Sequence, residues 1–438
     1  MNSQPRLLAW SVPAFLSALL LLAPTHSAFA EDASGDDAER LERVEAKVDA
    51  LTDEVGRLES IFAVPEELEF ESFSGLGPAA SKVYKRESGL SIGGYGEVLL
   101  RTFHGQGDDN QNDVFDALRA VLYVGYKFND KWVFNSELEF EHGGTGGGGS
   151  VSTEFLTIDY LHQDELNFRA GVLLIPMGFV NEIHEPNFFY GAQRPEVERR
   201  IMPSTWRENG AGIFGTIADR VHYRVYVVNG LDGAGFDEDG LRGGRQKASR
   251  ALSDDFAFVG RVDVDVTDGL MVGGSVYAGQ SGQEQRSGAT DPIAGALLPD
   301  LMTHIYEIHA QYRGNGFSFR GLWSEAFIDE AGAHNRILGS GLASRMQGWY
   351  VEGGYDILPL FVDTKATLEP FFRFEQWDTQ HKTPDGVIRD NKQDVNLYVA
   401  GLHFRPIPQV VFKVDYRHFD QRGGTRAHEA QALVGYVF

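Results

Sequence analysis

The sequence predicts an all-β protein, a transmembrane antiparallel β-barrel of sixteen strands that follows a short N-terminal coiled-coil helix. Three observations predict it. The last residues alternate apolar side chains and end on Phe438, with Tyr436 and Val434 at every second position before it. The first residues have the features of an export signal, and most of the chain consists of short alternating segments. Because hydrocarbon offers no partner for an open row of backbone groups, strands that face lipid must close into a barrel.

The export signal spans residues 1–30. Arg6 lies in a short leader, an apolar LLLLA run extends from Leu19 to Ala23, and Ala28-Phe29-Ala30 has the small-x-small form of a cleavage site. The run between Pro13 and Pro24 is well short of the roughly 20 residues that a spanning helix needs. We therefore predict a signal peptide, with the exported chain beginning at Glu31.

Composition narrows the function classes. The chain has no Cys, so it has no disulfide, no lipid-bearing Cys and no thiolate metal site. Its net charge of −24 argues against a nucleic-acid partner, which favours a basic face. We expect neither a cofactor nor a metal.

Residues 31–62 combine an acidic start with a heptad pattern, which predicts a coiled coil. An amphipathic helix of this length is marginal alone in water, so the stripe must be buried. The open alternatives are self-association and a single helix lying on a surface. Packing rules favour two strands, since Val occupies a positions and Leu d positions. The predicted oligomerisation residues are Leu41, Val44, Val48, Leu51, Val55 and Leu58.

Residues 63–88 predict a linker, because Pro65, Gly75, Gly77 and Pro78 punctuate the stretch. The barrel is predicted to span residues 89–438. Its strands are placed at 90–102, 115–128, 131–142, 152–163, 165–175, 210–218, 221–229, 255–267, 269–280, 302–313, 316–328, 346–358, 367–378, 394–405, 410–419 and 428–438.

Short turns and long connections alternate along this barrel. The even strand count puts the tight turns, such as Asn129-Asp130 and Asp268-Gly269, on the side of the termini. The long connections then lie on the opposite side.

The strands carry two chemically different faces. Phe412, Val414 and Tyr416 alternate with Lys413 and Asp415, for example. A soluble β-sandwich alternates too, with its apolar face inward, and periodicity alone does not reveal which face is inside. Export, strand parity and the aromatic C-terminus favour the barrel, in which the polar face lines a lumen. The predicted wall residues are Arg119, Glu137, Glu139, Arg169, Arg224, Arg261, Asp263, Arg320, Arg373 and Arg417.

The long connection at residues 176–209 has the composition of a shaped loop. Four prolines fix its backbone, and aromatic residues such as Phe179 and Trp206 supply apolar anchors. Such a loop at a barrel mouth is able to fold inward and narrow the bore. Its charges either orient a solute or pair with the wall to hold the loop. The predicted constriction residues are Arg194, Arg199, Arg200, Arg207, Glu182, Glu185, Glu196 and Glu198.

No motif predicts an enzyme. The pair His184-Glu185 lacks a recognised ligand spacing, and the stretch Gly143–Gly149 lacks the Lys-Ser/Thr of a phosphate loop. The inferred wall carries more acidic than basic residues, which predicts a weak cation preference. A local cluster of arginines is nevertheless able to form an anion site.

Several stretches resemble a known group. They are Gly94-Tyr95-Gly96-Glu97, the run RAGVLLIPMGFVNEIHEP from Arg169, the run RPEVERRIMPSTWRENGAGIFG from Arg194, and the terminal GYVF. With the heptad segment, they are similar to Gram-negative outer-membrane porins of the phosphate-selective porin O and P type and related coiled-coil porins. The resemblance implies a periplasmic N-terminal segment and a 16-stranded barrel that assembles as a homotrimer, with its third loop in the pore.

The expected function is passive diffusion of small hydrophilic solutes or ions through a water-filled pore. Two alternatives remain: an anion-selective porin for phosphate or carboxylates, and a structural anchor from the outer membrane to the cell wall. The expected partners are outer-membrane lipid, lipopolysaccharide, further copies of the chain and peptidoglycan through the coiled coil.

Overall fold

The computed structural model describes residues 35–62, 71–105, 112–424 and 426–438. The predicted signal peptide therefore lies outside the described residues, as do residues 63–70 of the predicted linker. The contacts divide the chain into two compact units, Met1–Val64 and Pro65–Phe438. Within the described residues, no helix combines the length and the apolar character needed to cross a membrane.

The first unit contains one long helix, α1 (Gly35–Phe62). The predicted heptad residues Leu41, Val44, Val48, Leu51 and Val55 are all exposed on it. The side chain of Leu58 lies outside the described part of the chain. The helix thus presents an apolar stripe against which no other described residue of its unit packs.

The second unit is a closed barrel of sixteen antiparallel strands, in which each strand pairs with its sequence neighbours and β1 pairs with β16. The predicted count and fold class are confirmed, and most strand ends agree with the prediction within three residues. The strands are β1 (Gly89–Gly105), β2 (Val114–Lys127), β3 (Trp132–Glu141), β4 (Ser150–Gln163), β5 (Leu166–Leu174), β6 (Arg207–Ile217), β7 (Val221–Asn229), β8 (Phe256–Thr267), β9 (Leu270–Gly279), β10 (Thr303–Gly314), β11 (Phe317–Ile328), β12 (Arg345–Tyr355), β13 (Thr367–Lys382), β14 (Asp394–Ile407), β15 (Val410–Gln421) and β16 (Arg426–Val437).

The C-terminal strand closes the barrel. Tyr95 lies opposite Val437 in the register between β1 and β16. The ladder ends at Phe438, whose N–H donates to the Gly94 carbonyl at 2.9 Å and whose carbonyl accepts from the Gly94 N–H at 3.0 Å. No edge is left at the seam, which is the condition for a sheet to sit in hydrocarbon.

The two ends of the barrel differ. The turns between β2 and β3, β4 and β5, β6 and β7, β8 and β9, β10 and β11, and β14 and β15 lie at the end where β1 starts and β16 ends, the short-turn end. The opposite end, the long-loop end, carries the connections 175–206, 230–255 and 280–302 and the helix α4 (Ala331–Leu338). The short-turn end also carries one longer connection, residues 356–366. The predicted one-sided placement of the tight turns thus holds.

Exposure shows which face is inside. On β15, Phe412, Val414 and Tyr416 are 43%, 48% and 48% exposed, whereas Lys413 and Arg417 are 1% and 2% exposed. The apolar row therefore faces outward and the ionic row faces the lumen. This arrangement is the inverse of a soluble sheet and is the one that suits lipid outside and polar groups inside.

Candidate functional site

The connection between β5 and β6, residues 175–206, passes through the inside of the barrel; we call it the inner loop. It contains the short helix α3 (Glu196–Arg200). The Tyr190 hydroxyl donates to Glu369 on β13 at 2.7 Å, and its ring stacks on Phe371 at 5.0 Å. The Ala192 N–H donates to Asp415 on β15 at 2.6 Å. The loop thus leaves the wall at β5 and reaches strands on the other side of the closed sheet.

Apolar anchors hold the inner loop in place. Phe179, Phe189, Val197, Ile201 and Trp206 are all buried and belong to the main hydrophobic cluster of the barrel. The Trp206 ring packs against Tyr277 on β9 with centroids 4.9 Å apart. These aromatic residues are among those that the sequence predicts as loop anchors.

Four basic residues of the wall donate to backbone carbonyls of the inner loop. Lys413 Nζ lies 2.8 Å from the Phe189 oxygen and 2.9 Å from the Gly191 oxygen. Arg373 Nη1 and Nη2 lie 3.0 and 3.2 Å from the carbonyls of Tyr190 and Gln193. The other two contacts join Arg261 to the Gly178 carbonyl and Arg320 to the Phe188 carbonyl. These four side chains, all predicted to line the pore, hold the loop.

The predicted loop carboxylates also make structural contacts. Glu182 lies 3.1 Å from Arg224, and Glu196 lies 2.9 Å from Arg417. Glu198 accepts hydrogen bonds from the Val180 N–H at 2.8 Å and from the Tyr350 hydroxyl at 2.7 Å. Glu185 accepts from the Ala79 N–H at 3.0 Å.

These buried loop carboxyl groups differ in pKa, because only some of them have cationic partners in ion pairs. It raises the pKa of Glu185 to about 8 and that of Glu198 to about 7, since neither has an ion-pair partner that outweighs desolvation. Glu196 is buried as well, but Arg417, Arg199 and Arg200 more than offset the burial and lower its pKa to about 2. Glu196 is therefore the ionised anchor of α3, and Glu185 and Glu198 carry a proton over part of the neutral range.

The other predicted wall residues pair with neighbouring polar side chains, most of them as ion pairs. Arg119 bridges Glu97 and Glu139 at 3.3 and 3.2 Å. Arg169 lies 2.8 Å from Asp159. The remaining ion pairs are Arg224 with Asp263 at 2.7 Å, Arg261 with Asp263 at 2.8 Å, Arg320 with Glu352 at 3.7 Å, and Arg417 with Glu429 at 2.7 Å. Glu137 shares a hydrogen bond with His184 of the inner loop at 3.0 Å.

The predicted constriction arginines do not all meet. Arg207 starts β6 and is buried beside Glu154 at 2.6 Å. Arg200 lies between Glu196 at 3.6 Å and Asp239 at 3.5 Å. Arg199 remains half-exposed beside Glu196, and Arg194 makes one long contact, 3.5 Å to the His184 carbonyl.

The connection 230–255 adds two arginines that sequence reasoning missed. Arg245 donates to the Thr205 carbonyl of the inner loop, at 2.5 Å. The guanidinium of Arg242 has a buried Nη1 atom without a hydrogen-bond partner in the described chain. Burial, followed by the nearby charges of Arg245, Arg199 and Arg194, lowers the pKa of Arg242. A group of four guanidiniums, Arg194, Arg199, Arg242 and Arg245, therefore lies at the long-loop side of the inner loop; we call it the arginine cluster.

A second segment enters the barrel from the short-turn end. Residues 71–88, part of the predicted linker, form α2 (Pro78–Ser81) and a 3₁₀ turn at Lys82–Lys85; we call them the inner segment. Its residues Ala79, Ala80 and Val83 are buried.

Wall residues of β3, β4 and β5 hold the inner segment. Asn135 Nδ2 donates to the Ala80 carbonyl at 2.8 Å, and the Tyr84 hydroxyl donates to Asp159 at 2.7 Å. Arg169 Nη2 lies 3.3 Å from the same hydroxyl. Proline and glycine, which predict a linker in isolation, here allow close packing: a Cβ on Gly77 would lie 2.5 Å from Glu185 Oε1. The inner segment and the inner loop therefore meet inside the barrel.

Comparison with known proteins identifies relatives by sequence and by fold. Over 384 residues the chain is 34% identical to an uncharacterized protein of Aquifex aeolicus (strain VF5), and the match covers 84% of this chain and 84% of that protein. No family model matches the chain.

Solved outer-membrane proteins share the fold. OmpTdeltaL8, a loop deletion mutant of OmpT from Vibrio cholerae, has a TM-score of 0.53 at 12% identity, with 81% of this chain and all (100%) of that chain covered. An anion-selective porin from Comamonas acidovorans has a TM-score of 0.51 at 10% identity, with 80% and 100% covered. The outer membrane channel DcaP of Acinetobacter baumannii has a TM-score of 0.50 at 12% identity, with 80% and 98% covered.

Proposed function

Because this chain belongs to the same family as the uncharacterized Aquifex aeolicus protein and has the barrel fold of outer-membrane porins, we propose that it is a porin. It would lie in the outer membrane and pass small hydrophilic solutes or ions by passive diffusion. The observation that carries the proposal is the inside-out distribution of side chains: aromatic and aliphatic residues outside, ionised residues inside a closed barrel.

The two inserted segments fit this role. A 16-stranded barrel is wide enough for an aqueous channel, and a channel needs a constriction to limit the size of what passes. The inner loop and the inner segment narrow the lumen from opposite ends, and both are fixed to the wall by buried polar contacts. No reaction step is needed for this function.

We expect the purified protein to give stepwise, ohmic conductance in a planar lipid bilayer. Its current steps should be smaller than those of a 16-stranded porin with an open bore, since the resistance of a pore is dominated by its narrowest part. Folding into the bilayer without any conductance would contradict the porin and favour the structural anchor.

A second candidate function is anion-selective passage, and the arginine cluster favours it. Arg242 and Arg245 have no carboxylate partner in the described chain, and Arg199 is half-exposed. An excess of guanidinium charge at a channel mouth attracts anions, and the planar fork binds phosphate or carboxylate. Recording the reversal potential under a salt gradient tests it, and a cation-selective value unchanged by phosphate would contradict it.

The apolar stripe of α1 supports self-association through a periplasmic coiled coil, with a trimer favoured by the porin resemblance. The same helix is the candidate contact with peptidoglycan. Five exposed apolar residues along one stripe, Leu41, Val44, Val48, Leu51 and Val55, are costly to leave in water.

We expect deletion of residues 31–64 to weaken binding to isolated cell wall while the conductance of each channel stays unchanged. Light scattering in detergent would show whether the oligomer also becomes smaller. The matched control replaces Val48 and Leu51 with Ser in the full-length chain. If the protein still binds isolated cell wall after both changes, α1 is not the cell-wall anchor.

A further inference from the structure

A small cavity lies inside the barrel at the short-turn end, with a volume of about 100 Å³. It is lined by β10, β11, β12, β13 and β14 and by the inner loop. The lining residues used below are Arg313, Arg320, Glu352, Glu369, His403 and Arg405.

The cavity lies away from the inner segment. The inner segment packs against β1 to β6, through contacts such as Asn135 with Ala80 and Phe73 with Phe214. The cavity lies on strands β10 to β14, across the closed sheet. A solute that crosses the short-turn end is therefore expected to pass by the cavity.

Positive charge is in excess around the cavity. Arg313, the penultimate residue of β10, lines the cavity with an exposed side chain, and its guanidinium makes no hydrogen bond or ion pair with any described residue. Lys413 is buried, and its hydrogen-bond partners among the described residues are the neutral carbonyls of Phe189 and Gly191. Arg320 lies 3.7 Å from Glu352, which it shares with Arg373 at 3.4 Å. Arg405 pairs with Glu369 at 2.8 Å.

His403 is a polar lining residue whose ring nitrogens lack hydrogen-bond partners among the described residues. It is 2% exposed, and neither ring nitrogen has a hydrogen-bond partner in the described chain. Its Nδ1 atom lies 3.7 Å from Glu369, beyond hydrogen-bond distance. Buried polar groups are nearly always satisfied, so an unpartnered imidazole that lines a cavity beside a free guanidinium indicates a ligand site.

We propose that this cavity binds a small oxyanion, a phosphate or a carboxylate, between Arg313, Arg320 and Arg405 with His403 as a further donor. The inference rests on the proposed function, since it assigns a binding site along the path of the porin. Guanidinium groups bind two oxygens of such an anion at once, which a single-atom ion such as chloride does not permit. The site is separate from the arginine cluster, which lies on the long-loop side of the inner loop.

The test is inhibition of chloride current by inorganic phosphate and by acetate in a planar bilayer. We expect Arg313→Gln to raise the half-inhibiting concentration of both anions about tenfold, because one charge-assisted contact is lost. Arg313→Lys retains the charge but loses the planar guanidinium. Its half-inhibiting concentrations should therefore lie between those of the wild type and those of Arg313→Gln. The control is Arg220→Gln, which removes one positive charge from the turn between β6 and β7 at the same end of the barrel.

The outcomes separate the two proposals. Conductance without inhibition by either anion, or equal inhibition of wild type and Arg313→Gln, would overturn the oxyanion site and leave the porin standing. Inhibition by phosphate alone would assign the site to phosphate, and inhibition by both anions would assign it to oxyanions in general. Absence of any conductance would overturn the porin proposal and the site with it. Since the Arg313 side chain is exposed and makes no hydrogen bond or ion pair within the described part of the chain, we expect its variants to fold as the wild type does.

Discussion

Gly125→Val is expected to increase single-channel conductance by roughly twofold or more, because it displaces the inner segment from the lumen. A Cβ on Gly125 would lie 2.7 Å from Val83 Cβ, closer than packed carbon atoms approach. The β2 backbone is fixed by ladders to β1 and β3, whereas the inner segment is held by a few side-chain contacts. The segment is therefore the part that moves.

A matched control is Gly321→Val on β11. A Cβ there meets its nearest neighbour, Val351 Cγ1, only at 3.7 Å, so the same substitution fits the space. A further variant carries cysteines at Ala80 and Asn135, which touch in the native chain, joined by a short thiol cross-linker. The chain has no other Cys, so the cross-link is specific. Cross-linking in the Gly125→Val background should restore the wild-type conductance, and an unchanged conductance of folded Gly125→Val would contradict a blocking role for the segment.

The barrel was predictable because its determinants are local. Alternation, turn residues and parity fix the strands, and the sequence places β7 at residues 221–229, the same bounds as in the structure. Only one feature of the strands could not be read from the local pattern, namely which face of each strand points into the barrel. Lys413 and Phe412 alternate in the same way whether lipid or water lies outside.

The interior was less predictable because it depends on contacts between residues far apart in the chain. Residues 71–88 carry glycines and a proline that mark a linker locally, yet their backbone finds partners in Asn135 and Glu185. Likewise, Arg373 and Lys413 were expected to face solute, and they donate to inner-loop carbonyls about 180 and 220 residues earlier in the chain. Nothing local to β13 or β15 encodes that pairing.

The inner loop was predicted to constrict the pore, with its charges either orienting a solute or holding the loop. The structure brings Glu182, Glu196 and Arg207 into ion pairs with the wall, which favours the holding role for these three. Arg194 and Arg199 keep more freedom, and they join Arg242 from a connection that sequence reasoning did not link to the pore. Nothing in the local sequence of the connection 230–255 indicates that its Arg242 lies near arginines of the inner loop.

Arg373→Met should be the most destabilising single change in the wall, by roughly 3–5 kcal/mol, because removing one partner of a buried ion pair leaves uncompensated charge. Arg373 is fully buried, lies 2.9 Å from Glu375 and 3.4 Å from Glu352, and donates to the carbonyls of Tyr190 and Gln193. Without it, the buried Glu375 carboxylate has lost its cationic partner, and the inner loop has lost two of the hydrogen bonds that hold it to β13. We expect a lower midpoint of denaturant-induced unfolding in detergent micelles together with noisier, larger channel currents.

Two further variants test the reason given for this loss of stability: an exposed-arginine control and a compensating double variant. Arg422→Met removes an exposed arginine that is 3.2 Å from Asp394, and an ion pair of this kind is worth about 0–1 kcal/mol. Arg373→Met combined with Glu375→Gln should recover part of the lost stability, since the stranded carboxylate becomes neutral while its hydrogen bond from the Val197 N–H is kept. If Arg373→Met costs no more than Arg422→Met, the guanidinium faces water and belongs to an open pore wall. A large loss with partial recovery in the double variant would instead make Arg373 a clamp that sets the bore by fixing the loop.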